Sequence, residues 1–205
     1  MRMRTTKRRH AVALAMAGLL AGAALLAGCS EDTSAPPPPP KSTGFENLTE
    51  VWHPLNNLEM SYIQRNIDRY SDALDADYYR FYYSTAVPAS ERGDTYWTYD
   101  QDTQGMRLMF DAQLPNLNMR VVNMEFDLVF DKDALNWVEV APGDPPNETW
   151  YTTVVPYTFY LKLGSGDEYG SKRGATAQIT VRQHPDDDRW RIVGVADLAT
   201  SLVRR

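Results

Sequence analysis

The chain has 205 residues, 43% of them hydrophobic, and can bury one sizeable core. Its 27 acidic residues outnumber 21 basic ones for a net charge of −6, which argues against nucleic acid or an anionic lipid surface as partner. Its one cysteine, Cys29, excludes a disulfide framework, a CxxC redox pair and a zinc ribbon.

In chain order, Arg2, Arg4, Lys7, Arg8 and Arg9 form a basic head. An uncharged apolar run, Ala11 to Gly28, follows and ends on small residues, which completes the three parts of a secretory signal. Leu26-Ala27-Gly28-Cys29 resembles the bacterial lipoprotein signal, an apolar residue and two small ones before a cysteine. The resemblance implies cleavage after residue 28, acylation of Cys29 and attachment to a membrane of the cell envelope. Two other readings stand beside it. One is an uncleaved membrane helix, for which the run is near the lower length limit. The other is a buried structural cysteine. Arg8-Arg9 leaves the export route open between a general and a twin-arginine signal.

Removal of residues 1–28 leaves 16 basic against 27 acidic residues, a net of −11. An acylated Cys29 leaves no free thiol, so a cysteine nucleophile is excluded too. Each CH₂ of an acyl chain buried in lipid contributes ~0.8 kcal/mol to anchoring.

Residues 29–44 read as a tether. Pro36 to Pro40 favours an extended polyproline path of about 3.1 Å per residue, a spacer or else a ligand for an SH3-type domain. Ser30 after the cysteine resembles the outer-membrane sorting of Gram-negative lipoproteins.

Residues 45–205 read as one α+β domain. Val51, Trp52, Leu55, Leu58, Tyr62 and Ile63 follow helical spacing, with Thr49 or His53 as cap and Pro54 in the first turn. Ile67, Tyr70, Ala73 and Leu74 start a short second helix that Asp75-Ala76-Asp77 ends. Tyr79, Phe81 and Tyr83 alternate as a short strand. Tyr96, Trp97 and Tyr99 fall in the connection to a third helix over about Asp100 to Ala112, where Met106, Met109 and Phe110 share a face.

After Pro115 the period changes to two. Val122, Met124, Phe126, Leu128 and Phe130 predict one strand, and Leu135 to Val140 another. Pro142 to Asn147 is a turn. A long strand from Thr149 to Lys162 contains Pro156, which must bend it or place it at an edge. Gly164 to Gly170 turns the chain. Strands through Ala175–Val181 and Trp190–Val195 close it, separated by the polar turn Asp186-Asp187-Asp188.

Three motifs carry a second resemblance. They are Leu58-Glu59-Met60-Ser61-Tyr62 with Arg65-Asn66-Ile67-Asp68, then Asp77-Tyr78-Tyr79-Arg80-Phe81, then Trp190-Arg191-Ile192. Their order and spacing over about residues 48–198 resemble the nuclear transport factor 2-like superfamily, with Ser61 where an alanine is usual. The resemblance implies N-terminal helices packed on a strongly curved antiparallel sheet, a cystatin-like cone around a cavity. Tyr62, Tyr83, Trp97, Met106, Phe110 and Asp197 are the candidate cavity residues.

No catalytic set stands out. Tyr62, Tyr83, Asp127 and Asp197 are the residue types of the ketosteroid-isomerase pattern, but period two puts Asp127 on the face opposite Phe126. His53 and His184, the histidines that survive maturation, lie too far apart, without a Ser or Cys motif, to suggest a triad or a zinc site. Asp100 to Gly105 with Asp111 departs from a calcium loop at Gln104, Arg107 and Asp111, and reads as an acidic helix start. No cofactor and no metal are expected. The expected function is a lipid-anchored envelope protein whose cone binds a small apolar ligand or a protein partner. The alternatives are an isomerase- or hydrolase-like enzyme and a homodimeric scaffold that uses the sheet face.

Overall fold

The computed structural model describes residues 21–22, 44–83, 96–141, 148–171, 175–198 and 203–204. Cys29, the proline run and the turn expected at 142–147 lie outside them, as does the leader apart from Ala21–Gly22 (β1).

The chain enters its first helix, α1 (His53–Gln64), under a strap formed by the residues just before it. Asn57 donates through Nδ2 to the Glu46 carbonyl at 2.8 Å and accepts from the Glu46 amide at 2.7 Å. Asn56 donates to the Gly44 carbonyl at 2.9 Å. These bonds satisfy two amides on a helix buried continuously from His53 to Ser61. No side chain caps α1. His53 instead accepts the Glu50 amide at 3.2 Å through Nδ1, and Pro54 sits in the first turn, where its missing N–H costs nothing. Arg65 ends the helix in the left-handed region (φ 51°). Asn66 caps α2 (Ile67–Asp72) by accepting the Arg69 amide at 3.0 Å.

Next come β2 (Arg80–Tyr82), β3 (Tyr96–Thr98) and α3 (Tyr99–Phe110). At the start of α3 the Thr98 amide donates to Gln101 Oε1 at 2.9 Å, one half of a capping box. The segment that resembles a calcium loop is therefore helix. A short 3-10 turn at Leu117–Met119 leads into β4 (Val121–Leu128). Then follow β5 (Val138–Val140), β6 (Trp150–Leu163), β7 (Glu168–Ser171), β8 (Ala175–Gln183), β9 (Trp190–Asp197) and β10 (Val203–Arg204).

One curled sheet contains all the described strands, in the order β7-β6-β8-β9-β2-β3, with β1 and β10 also on β7 and β4 and β5 also on β6. It is mixed, because β2 runs parallel to β9 and β1 parallel to β7. The helices pack on its concave face.

The long strand β6 changes partners at Pro156. Before it, Trp150–Thr152 pairs with β5; after it, Tyr157–Leu163 pairs with β4. The Pro156 carbonyl accepts the Val129 amide at 2.9 Å, so its missing N–H faces the gap where one partner gives way to the next. Proline is thus accommodated inside the sheet at a break rather than at an edge.

Two sequence expectations are corrected. Val122 does not join the inward row. A bulge between Val121 and Asn123 turns Val121 inward and leaves Val122 about half exposed. The strand predicted over Leu135–Val140 shortens to Val138–Val140, since Leu135 to Trp137 pair with no strand among the described residues.

A buried ion cluster ties the α2–β2 turn to the sheet. Arg182, on β8, donates through Nε to Asp75 Oδ2 at 2.7 Å and through Nη1 to Glu148 Oε2 at 2.8 Å. Its guanidinium lies 4.4 Å from the Tyr78 ring centre. Asp75 Oδ1 accepts the amides of Asp77 and Tyr78, both at 3.1 Å. The sequence places Asp75 only as a helix stop; its carboxylate also anchors the turn to a strand 107 residues away.

Candidate functional site

Between the helices and the sheet lies a cavity of about 90 Å³. On the sheet side, residues two apart on each strand point into it, as strand pleating dictates. They are Phe126 and Leu128 on β4, and Tyr157 and Phe159 on β6. On β8 they are Ala177 and Ile179, and on β9 Val195 and Asp197. From α3 come Asp102, Gly105, Met106 and Met109, one face at three- and four-residue spacing. Leu58 and Tyr62 on α1, Tyr70 on α2, Tyr79 and Phe81 at β2 and Trp97 on β3 close the wall.

The lining has two polar poles. Asp102, 4% exposed, accepts the hydroxyls of Tyr70 and Tyr79 on one oxygen, Oδ2, each at 2.7 Å. Burial pushes its carboxyl up to about 6, while the two hydroxyl bonds oppose that rise. Tyr70 and Tyr79 are held well above the usual phenol value, by burial first and by the Asp102 charge second. At the second pole Tyr157 donates to Asp197 Oδ1 at 2.9 Å. Burial and then the Asp197 charge raise its phenol as well. Tyr62 stacks on Phe126, ring centres 4.3 Å apart, and its hydroxyl lies 3.5 Å from Met106 Sδ.

The structure brings four of the candidate residues, Tyr62, Trp97, Met106 and Asp197, to the cavity wall. Tyr83 packs behind it, 5.8 Å from Phe81 and 5.3 Å from Trp97 between ring centres. Phe110 packs edge-on against Tyr62 and Tyr70 and is core rather than lining. Asp127 is exposed on the far side of β4. Sequence reasoning missed Asp102, Tyr70, Tyr79 and Tyr157 as wall residues. One signal was available for Asp102: it stands four residues before Met106 and eight before Phe110, on the apolar face of α3, whereas Asp100 does not. Among the described residues, no group of three or more His, Cys, Asp or Glu side chains could hold a metal ion.

No protein-family model and no curated protein matches this chain. Several solved structures similar to it are described as nuclear transport factor 2-like or cystatin-like. One is a candidate dehydratase of the nuclear transport factor 2-like family from Streptomyces avermitilis, 12% identical, TM-score 0.46, covering 75% of this chain and 95% of that one. Another is a nuclear transport factor 2-like protein of unknown function in nutrient uptake from Rhodospirillum rubrum, 11% identical, TM-score 0.44, covering 73% and 98%. A third, from Nostoc punctiforme, has a cystatin-like fold and unknown function, 13% identical, TM-score 0.39, covering 73% and 88%.

Proposed function

We propose that this protein is a lipid-anchored envelope protein whose domain binds a small ligand inside the cone. The observation that carries the binding reading is the cavity of about 90 Å³, walled by apolar side chains and two carboxylates, Asp102 bonded to two tyrosines and Asp197 to one. It is smaller than the ~150 Å³ engineered cavity that admits benzene, so it suits a ligand, or a ligand head, of only a few heavy atoms. The tether and acylated Cys29 are proposed from the sequence pattern, as is a place in the cell envelope, at the outer membrane if the cell is Gram-negative, with the domain facing the periplasm or the exterior.

Ala177→Leu tests the binding. The added side chain projects into the cavity and is expected to abolish uptake of small probes such as xenon or 2-propanol, read by NMR shifts of lining residues. Uptake unchanged from that of the parent protein would remove the cavity from consideration. The outer sheet face is then left as the working surface, for a second copy or another envelope protein.

One observation favours a second reading, proton-transfer catalysis. Asp102 has its carboxyl near 6, inside the range where a general base works at neutral pH, and it sits beside tyrosine hydroxyls. A bound ligand that gains no deuterium from D₂O on prolonged incubation excludes it for that ligand.

A further inference from the structure

We infer that the ligand of this cavity is a small methylated ammonium ion, held by aromatic side chains and the Asp102 carboxylate. The inference rests on reading the cavity as a ligand site. It follows from what the wall offers and what it withholds.

The hydroxyl protons at the two poles are already committed. Tyr70 and Tyr79 donate to Asp102, and Tyr157 donates to Asp197. Apart from the Tyr62 hydroxyl, 3.5 Å from Met106 Sδ, and the Trp97 indole N–H, the cavity therefore meets a ligand with carboxylate oxygens, phenol lone pairs and ring surfaces, all electron-rich. Eight aromatic side chains contribute to the lining, while no Lys, Arg or His does among the described residues. Such a wall, with two neutral donors and no cationic side chain, gives little to an anion. It gives much to a cation, through ring quadrupoles and a buried carboxylate. A bare primary ammonium needs three acceptors to replace its water, whereas methyl groups reduce that demand and fill apolar space. The volume points the same way. Scaled against the cavity that takes benzene, about 90 Å³ accommodates roughly four heavy atoms, which is the size of trimethylammonium.

The test compares trimethylammonium with 2-propanol, a neutral probe of about the same size that also carries one donor. Both are titrated into the mature protein in detergent, and into Asp102→Asn, following the Trp97 indole N–H by NMR. Trimethylammonium is expected to bind at least tenfold more tightly than 2-propanol, and Asp102→Asn to remove that preference. Equal binding, or tighter binding of 2-propanol, overturns the ammonium assignment and leaves the apolar cavity standing. Binding of neither probe overturns both. Where Asp102→Asn does not fold, the wild-type comparison alone decides. Phosphocholine separates the sources of the head group: tighter binding than trimethylammonium points to a larger choline-bearing molecule, weaker binding to a free amine.

Discussion

Replacing Asp102 with Asn should reveal, through pH, how much it costs to hold this carboxylate inside the cone. Asn keeps the shape and an oxygen that can accept the hydroxyls of Tyr70 and Tyr79, but it cannot ionise. In the folded protein burial raises the Asp102 carboxyl from 3.8 to about 6. Above that value both the folded and the unfolded chain are ionised, and the folded state bears a constant penalty. Between about 6 and 3.8 the folded state holds a proton that the unfolded chain has released. Stability from this group therefore increases as pH falls through that window. A displacement of about 2 pH units at ~1.4 kcal/mol each amounts to ~3 kcal/mol, of which roughly four-fifths is realised by pH 4. Other carboxylates titrate in the same range, so the difference between variant and wild type is the informative quantity. Urea unfolding of both proteins, followed by tryptophan fluorescence from pH 7.5 to 4, measures it. The stability advantage of Asp102→Asn should be largest near neutrality and shrink by ~2 kcal/mol or more toward pH 4. A difference independent of pH would refute the premise that Asp102 is ionised against its burial.

Three further outcomes are expected. Arg182→Met should destabilise the domain by ~3–5 kcal/mol in urea titrations, because Asp75, 1% exposed, loses the charge opposite it; a change below ~1 kcal/mol would show the cluster to be dispensable. Gly164→Ala should cost ~1–3 kcal/mol by the same assay, since a Cβ there meets the Leu117 carbonyl oxygen at 2.0 Å and backbone must shift, whereas Gly166→Ala, with open space but a φ of +91°, tests conformational strain alone. Cys29→Ala should leave the leader uncleaved and abolish acyl labelling, visible as a slower-migrating band; unchanged processing and membrane association would dismiss the lipid anchor.

Much of the α+β layout was legible because periodicity is local. The change from helical spacing to alternation after Pro115 follows from which faces of each element meet the core, and a helix or strand carries that pattern on its own residues. The strand errors at Val122 and Leu135 have a different origin. A bulge reverses which residues face inward, and a strand ends where its partner ends; neither leaves a mark on the strand's own pattern. The partner switch at Pro156 is similar. A proline in a long apolar strand signals a bend or an edge, but only its neighbours show that the gap lies between two successive partners.

The sequence by itself determined the class of the domain, its excess of acidic residues and the absence of thiol chemistry beyond Cys29; of the six cavity candidates that its family resemblance implied, Tyr62, Trp97, Met106 and Asp197 lie at the wall and Tyr83 and Phe110 do not. Tertiary structure alone decided that the cavity is polar at two points. Those points are built from Tyr70 and Asp102, 32 residues apart, Tyr79 and Asp102, 23 apart, and Tyr157 and Asp197, 40 apart. A tyrosine in a core pattern looks the same whether its hydroxyl meets water or a buried carboxylate. The distinction arises only when elements far apart in the chain bring the two tips within hydrogen-bond distance, and with it arises the charge that gives this cavity its chemistry.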